Sequence, residues 1–364
     1  MNYWLENCRA HHEKCRDSVS HQPIAEDELN KLPNRVIDVG AIKSDNRVRL
    51  IEIDGSPESH WVAPSHCWGE KKNHPLKTTR ANLRPRLNGI PMSSLPKTFQ
   101  DAVVKTRALG FRYLWIDSLC IVQDDEDDWQ RESQMMATIY EQAVITLAAS
   151  AARDSTQGLF VERLYAKIQF PSIQLPFIIR DAHSGRRKTL GNYSISLDRR
   201  QEPFMKHLDP MSSPIYQRGW CTQELILSRR VVHFLDEGMV WVCKERAVDE
   251  TGQTLIARKR HSEGDWATEW GRIIVKHSMR KFTFEKYRLI SLNSLAREVS
   301  KATKNSCRPG EYFYGTWLID IPEYILWSSY RLDDRKMECP SWPWASCVSA
   351  VWASVQRLRQ QSPR

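Results

Sequence analysis

Two places in this chain put reactive side chains directly after short apolar runs. Residues 113–117 (YLWID) end in Asp117, with Ser118 and Cys120 close behind, and residues 61–65 (WVAPS) end in Ser65, with His66 next. A carboxylate can act as acid, base or cation stabiliser, and a thiol near an imidazole can act as a nucleophile. The run at 113–117 is aromatic and β-branched, which suits a buried parallel strand, and ligands of open α/β sheets bind beyond the carboxyl ends of the strands. That rule places Asp117, Ser118 and Cys120 at the mouth of a cleft; an acidic surface over ordinary core is the plainer alternative. His66 precedes Cys120 by 54 residues, near the roughly 50-residue His-to-Cys spacing of caspase-like hydrolases, but nothing around SLCIVQ resembles the Gln-Ala-Cys context. Cys8, His11, His12 and Cys15 sit on adjacent turns and offer metal-ligand chemistry. A closed site on one short helix is unusual, so packing is the simpler reading. Cys67, Cys120, Cys221 and Cys243 contain no CxxC pair and read as buried thiols. The expectation is no metal.

The elements that must position these groups alternate. Residues 61–65 read as a strand, 95–109 as a helix opened by Pro96 and stopped by Gly110, 111–117 as a strand, 127–142 as a helix and 144–149 as a strand. The acidic cluster at 124–128 favours a helix N-terminus. Strand–helix alternation predicts a parallel sheet with right-handed crossovers. Upstream, residues 1–32 read as a helical prelude whose Trp4, Leu5, Cys8, His12 and Cys15 share a face, and 47–53 reads as a strand before an Asp54-Gly55 turn. Downstream, 161–214 reads as an insertion with strand candidates at 168–175 and 177–180 and a basic loop at 183–191; 219–228 is a short helix carrying Glu224; 231–234 and 240–243 are strands. Beyond about residue 246, Trp266, Trp270, Ile273 and Ile274 mark one helix, Leu292, Leu295 and Val299 another, and Trp317, Trp327, Trp342 and Trp344 an aromatic closing segment.

The 364 residues, 41% of them hydrophobic, allow a full buried core. Nine cysteines at irregular spacing, no signal-like N-terminal stretch and no apolar run near the roughly 20 residues of a membrane span lead to an expectation of reduced thiols, a cytoplasmic setting and no membrane contact. The net charge of +9 falls in the second part of the chain: residues 1–150 carry 19 Lys and Arg against 21 Asp and Glu, and residues 151–364 carry 34 against 23. Because the excess is scattered through short basic clusters, a nucleic-acid partner is not expected.

Three segments together resemble the heterokaryon-incompatibility (HET) domain family of filamentous fungi: VAPSHCWG at 62–69, LPKTFQDAVVKTRALGFRYLWIDSLCIVQDDEDDWQRESQMMATIY at 95–140, and QRGWCTQELILS at 217–228. The resemblance implies a HET domain over 33–245 and a mostly helical, Trp-rich extension over 246–364. It also implies a distant similarity to TIR domains, and with it an α/β, flavodoxin-like, mainly parallel sheet flanked by helices. The run Gly219-Trp220-Cys221-Thr222-Gln223-Glu224-Leu225 is similar to the Trp-Cys-x-x-Glu-Leu helix of TIR domains, whose glutamate drives NAD cleavage in the catalytic members. On that resemblance Glu224 is the catalytic carboxylate, Ser65, His66, Trp68, Gly69, Asp117 and Ser118 line the cleft, and Arg218, Trp220 and Gln223 flank the glutamate. NAD would enter as substrate rather than cofactor, with self-association as the trigger and an incompatibility partner protein upstream. A non-catalytic assembly module and a Cys120–His66 hydrolase are the other readings.

Overall fold

The computed structural model describes residues 1–16, 30–40, 46–55, 57–161, 172–180, 187–196, 209–255, 266–282, 287–302, 312–317, 327–329, 344 and 351–353. Its centre is a sheet of nine strands among the described residues. They are β1 (Arg35–Asp38), β2 (Arg47–Glu52), β3 (Trp61–Ser65), β4 (Ile90–Pro91), β5 (Tyr113–Leu114), β6 (Ile145–Ala148), β7 (Arg230–Phe234), β8 (Met239–Cys243) and β9 (Ala247–Asp249), in the spatial order β9-β8-β7-β6-β3-β5-β1-β2-β4.

The sheet is mixed, which corrects the expectation of a mainly parallel one. The predicted alternation is present at its middle, where β5 and β6 flank β3 and β7 lies beside β6, all parallel. Antiparallel wings extend both sides: β1 on β5 and β2 on β1, and β8 on β7 and β9 on β8. The reason is connection length. β7 and β8 are joined through residues 235–238, too few for the crossover that a parallel pair requires. Burial follows position: every residue of β3, β6 and β7 is buried, whereas β2 alternates, with Val48 and Leu50 facing inward.

Helices cover the sheet. Those that bear on the site and the core are α1 (Asn2–His11), α2 (Lys97–Ala108), α3 (Asp117–Cys120), α4 (Glu126–Gln142), α5 (Cys221–Leu227), α6 (Trp266–Ser278) and α7 (Tyr287–Ala302); a further short helix spans Leu83–Asn88. Local signals account for the ends of the longer ones. Pro96 precedes α2 and Gly110 follows it at φ +82, a conformation that suits glycine. The Asp125 side chain accepts the Asp128 N–H at 3.1 Å and so caps α4, while Glu126, Asp127 and Asp128 complement its N-terminal dipole. Asp128 does more than cap: it is buried, accepts the Val122 N–H at 2.8 Å and forms a bidentate pair with the buried Arg35 of β1. The strand expected to run through Asp117 is shorter than predicted, since the chain turns into α3 at that residue and the Asp117 carboxylate accepts the Ser118 N–H at 2.7 Å.

One core joins Val62, Leu114, Ile145 and Val232 of the sheet to Phe99, Ala102 and Val103 of α2, Met136 and Ile139 of α4, and Leu5 and Cys8 of α1. Burying each Val, Leu, Ile or Phe side chain contributes roughly 1.5–3 kcal/mol. A second cluster packs Trp270, Ile273 and Ile274 of α6 against Leu292, Leu295 and Val299 of α7, with Trp317 and Trp344, and reaches Ala137 of α4 and Leu227 of α5. The expected strand candidates near 168–180 form a hairpin, Ser172–Arg180 against Arg187–Ser196, so part of the predicted basic loop is strand; residues 168–171 lie outside the described residues. The expected aromatic closing segment is described at Trp317, Trp327 and Trp344, whereas Trp342 lies outside the described residues.

Candidate functional site

Because β3, β5 and β6 run parallel, their carboxyl ends emerge on one side of the sheet, and a cleft of about 1650 Å³ opens there. Trp68, Gly69, Asp117, Arg218 and Trp220 all line it. Trp68 follows β3 and offers an aromatic wall: its Nε1 donates to Asp117 Oδ2 at 3.1 Å, Lys77 Nζ lies 4.7 Å from its ring centroid and His74 meets it edge-on. Trp220 belongs to a second aromatic group on the lining, packed edge-to-face on Trp129 and tilted against Tyr287. Gly69 has φ +77, and a Cβ placed there would come within 2.4 Å of Asp154 Cβ, so this lip accepts only glycine without rearrangement.

The floor is an ionic network. Arg218 Nη2 donates to Asp117 Oδ2 at 3.0 Å, and Nη1 donates both to Glu224 Oε1 at 3.0 Å and to the His66 carbonyl at 2.9 Å. Behind it, Ser65 Oγ donates to Glu224 Oε2 at 2.5 Å and Cys221 Sγ lies 3.6 Å from the same oxygen. Burial opposes ionisation of Asp117, yet the His66 ring, the Arg218 guanidinium and the Ser118 N–H outweigh it and hold the carboxyl below its ordinary range. At Glu224 burial wins over Arg218, and the carboxyl is pushed above its ordinary range. Burial alone would weaken the Arg218 cation, but Glu224 and Asp117 keep it charged.

The expected residues divide into two layers. Trp68, Gly69, Asp117, Arg218 and Trp220 face the cleft; Ser65, His66, Ser118, Gln223 and Glu224 are buried and absent from its lining. Glu224 is 0% exposed and reaches the cleft only through Arg218. His66 packs edge-on against Phe99, and burial lowers its pKa to about 4, so it is a neutral ring whose Nε2 lies 4.0 Å from Asp117 Oδ1. The Gln223 amide, oriented to satisfy both neighbours, donates to the Ser291 carbonyl at 3.1 Å and accepts the Ala137 N–H at 2.9 Å, which ties α5 to α4 and α7.

The Cys120–His66 dyad is not formed. Cys120 is fully buried, its sulfur accepts the Ile116 N–H at 3.4 Å, burial pushes its thiol well up, and neither His66 ring nitrogen has a hydrogen-bond partner among the described residues. Several lining residues carried no sequence signal. Lys281, Phe282 and Tyr287 reach the cleft because the turn after α6 folds onto residues 217–219: Gly219 N–H donates to the Lys281 carbonyl at 3.0 Å, Lys281 N–H to the Gln217 carbonyl at 2.6 Å, and Arg280 Nη1 to the Arg218 carbonyl at 3.1 Å.

The cleft lies beyond the carboxyl ends of the parallel strands, the position at which open α/β sheets bind ligands. Residues 61–224 match the family model "Heterokaryon incompatibility protein (HET)". No curated protein and no solved structure matches the chain. No described helix is long and apolar enough to cross a membrane.

Proposed function

We propose that this protein is a cell-death effector of the heterokaryon-incompatibility type whose HET domain cleaves NAD at the nicotinamide–ribose bond, and that the form described here is its latent state. The observation carrying the reading is the Asp117–Arg218–Glu224 network on the floor of an aromatic-walled cleft. Cleavage breaks the C1′–N bond, the bonding pair leaves with neutral nicotinamide, and water captures the oxocarbenium-like ribosyl centre with loss of a proton to solvent. No general acid is needed for that departure, so one carboxylate that stabilises the developing cation suffices. Glu224 supplies it once Arg218 exchanges its carboxylate partner for the substrate diphosphate, an anion that suits the guanidinium fork. Trp68 or Trp220 gives a face for a base. Self-association, which restrains an NAD-consuming enzyme until it is needed, triggers the exchange.

A second reading is favoured by one observation, the complete burial of Glu224. In it the domain is a non-catalytic assembly module of the same response, and Arg218 with its two carboxylates is structural. Purified protein, dilute and concentrated into oligomers, incubated with NAD beside Glu224→Gln separates the two. Catalysis predicts nicotinamide release from the wild-type oligomer, reduced at least about 100-fold in a folded, oligomeric Glu224→Gln. No release from either state, with cell killing retained by Glu224→Gln, supports the assembly module.

A further inference from the structure

The N-terminal helix and the far wing of the sheet meet at a cluster outside the cleft. Cys8, His12 and Cys15 come together with Cys243 of β8, all four buried, and their candidate ligand atoms all lie within 4.8 Å of one another. Local structure explains the convergence. Cys8 lies in the last turns of α1, which ends at His11; His12 caps it in an extended conformation with its N–H on the Cys8 carbonyl, and the 3-10 turn Glu13–Arg16 folds Cys15 back toward them. The fourth group arrives from 231 residues away, with His12 Nδ1 3.3 Å from Cys243 Sγ. Hence the objection that one short helix cannot close a metal site does not apply. His11, its sequence neighbour, is exposed and takes no part.

We propose that Cys8, His12, Cys15 and Cys243 form a structural zinc site that fastens the N-terminal helix to β8, in the far wing of the sheet. The donor set is three thiolates and one imidazole, a combination that selects tetrahedral zinc. Zinc–sulfur bonds of about 2.3 Å and a zinc–nitrogen bond of about 2.0 Å give a tetrahedron with edges of roughly 3.5–3.8 Å, so the present cluster closes on the ion with small side-chain adjustments. Three thiolates leave the site with one excess negative charge, and the surroundings meet it: Arg230 Nε donates to Cys8 Sγ at 3.2 Å and the Arg246 N–H to Cys243 Sγ at 3.4 Å. Four occupied ligand positions leave none for substrate, which marks the site as structural. The clamp is reinforced by Trp4 on Trp241 and by the Lys14 N–H donating to Glu245 Oε1 at 2.7 Å.

The test is the metal content of the full chain, produced in zinc-supplemented medium and purified without chelator or metal-affinity resin. The expected result is about one zinc per chain, lost in Cys15→Ser and Cys243→Ser and kept in His11→Ala. Because a ligand variant can fail to fold, the wild-type chain is also loaded with cobalt(II) alone. Thiolate charge-transfer and tetrahedral ligand-field bands are expected, and His12→Cys retains one metal while shifting them. Folded wild type free of metal, with these thiols alkylated by iodoacetamide or joined in a disulfide, overturns the proposal, as does full zinc retention in both serine variants.

Discussion

Asp117 and Glu224 share one guanidinium: Arg218 donates to a carboxylate oxygen of each at 3.0 Å, although the two acids are separated by more than a hundred residues of sequence. The cleft-facing acid and the buried acid are thereby coupled through a single cation. Removing that cation strands two carboxylates that cannot both stay ionised in the space they occupy.

Arg218→Ala is therefore expected to lower stability by about 3–5 kcal/mol, the cost of leaving a buried charge without its partner. Equilibrium urea unfolding monitored by circular dichroism checks this. A second change restores part of the loss: Arg218→Ala with Glu224→Gln should unfold at higher urea than Arg218→Ala alone.

Acid sensitivity should begin near neutrality. Burial lowers His66 to about 4 and His277 to about 3. Between the ordinary histidine value near 6.5 and those folded values, the unfolded chain takes up protons that the native one refuses, so stability falls as pH falls. The loss amounts to about 3 kcal/mol from His66 by pH 4, and that from His277 continues below it. Asp117 is held below its ordinary range, so its contribution disappears only at lower pH still. Urea midpoints at successive pH values from 7.5 to about 4 should decline for the wild type and decline less steeply in His66→Asn, in which His277 still titrates.

Gly69→Ala should be costly at a lip of the cleft. The residue has φ +77, and the new methyl would meet Asp154 Cβ at 2.4 Å, a contact with little freedom because Asp154 is held by Asn73 and Thr156. A loss of about 1–3 kcal/mol is expected, read as a lowered unfolding midpoint.

Cys120 should be inert in the native protein. It is fully buried with its thiol pushed up, so iodoacetamide should modify it only after unfolding, at least about 100-fold faster than in the folded chain. Rapid native labelling at Cys120, located by peptide mass spectrometry, would contradict the placement described here.

What was legible in the sequence was local. The stripe Phe99, Ala102, Val103, the stop at Gly110 and the acidic start of α4 each depend on a few adjacent residues, and each helix is found within two residues of its expected ends. The strand–helix alternation announced the parallel ladder for the same reason. Long-range choices were not legible. Nothing near 35–52 indicates that β1 would lie antiparallel to β5, and Asp128 reads as a helix-start acid although it also holds Arg35 of β1. The site behaved likewise. Residue types near the strand ends led to Asp117 and the family resemblance to Trp68 and Arg218, but whether Glu224 faces the cleft depends on what stands in front of it, and Arg218 stands there. Cys8, His12 and Cys15 share a face by spacing, while Cys243 joins them only through the tertiary fold.

The strand order carries a practical consequence for anyone dissecting this protein. The family match begins at residue 61 and ends at 224, within α5, yet β1 and β2 lie upstream of it and β7 and β8 downstream. A fragment cut to the matched span would strip β5 of β1 and β6 of β7, leaving two bare ladders of N–H and C=O groups flanking a three-strand remnant. It would also lose the segment at 280–281 that grips the backbone of residues 217–219. The matched span is thus narrower than the described sheet, and the matched fragment alone should aggregate where a chain beginning before Arg35 and running past Lys281 retains both wings and that grip.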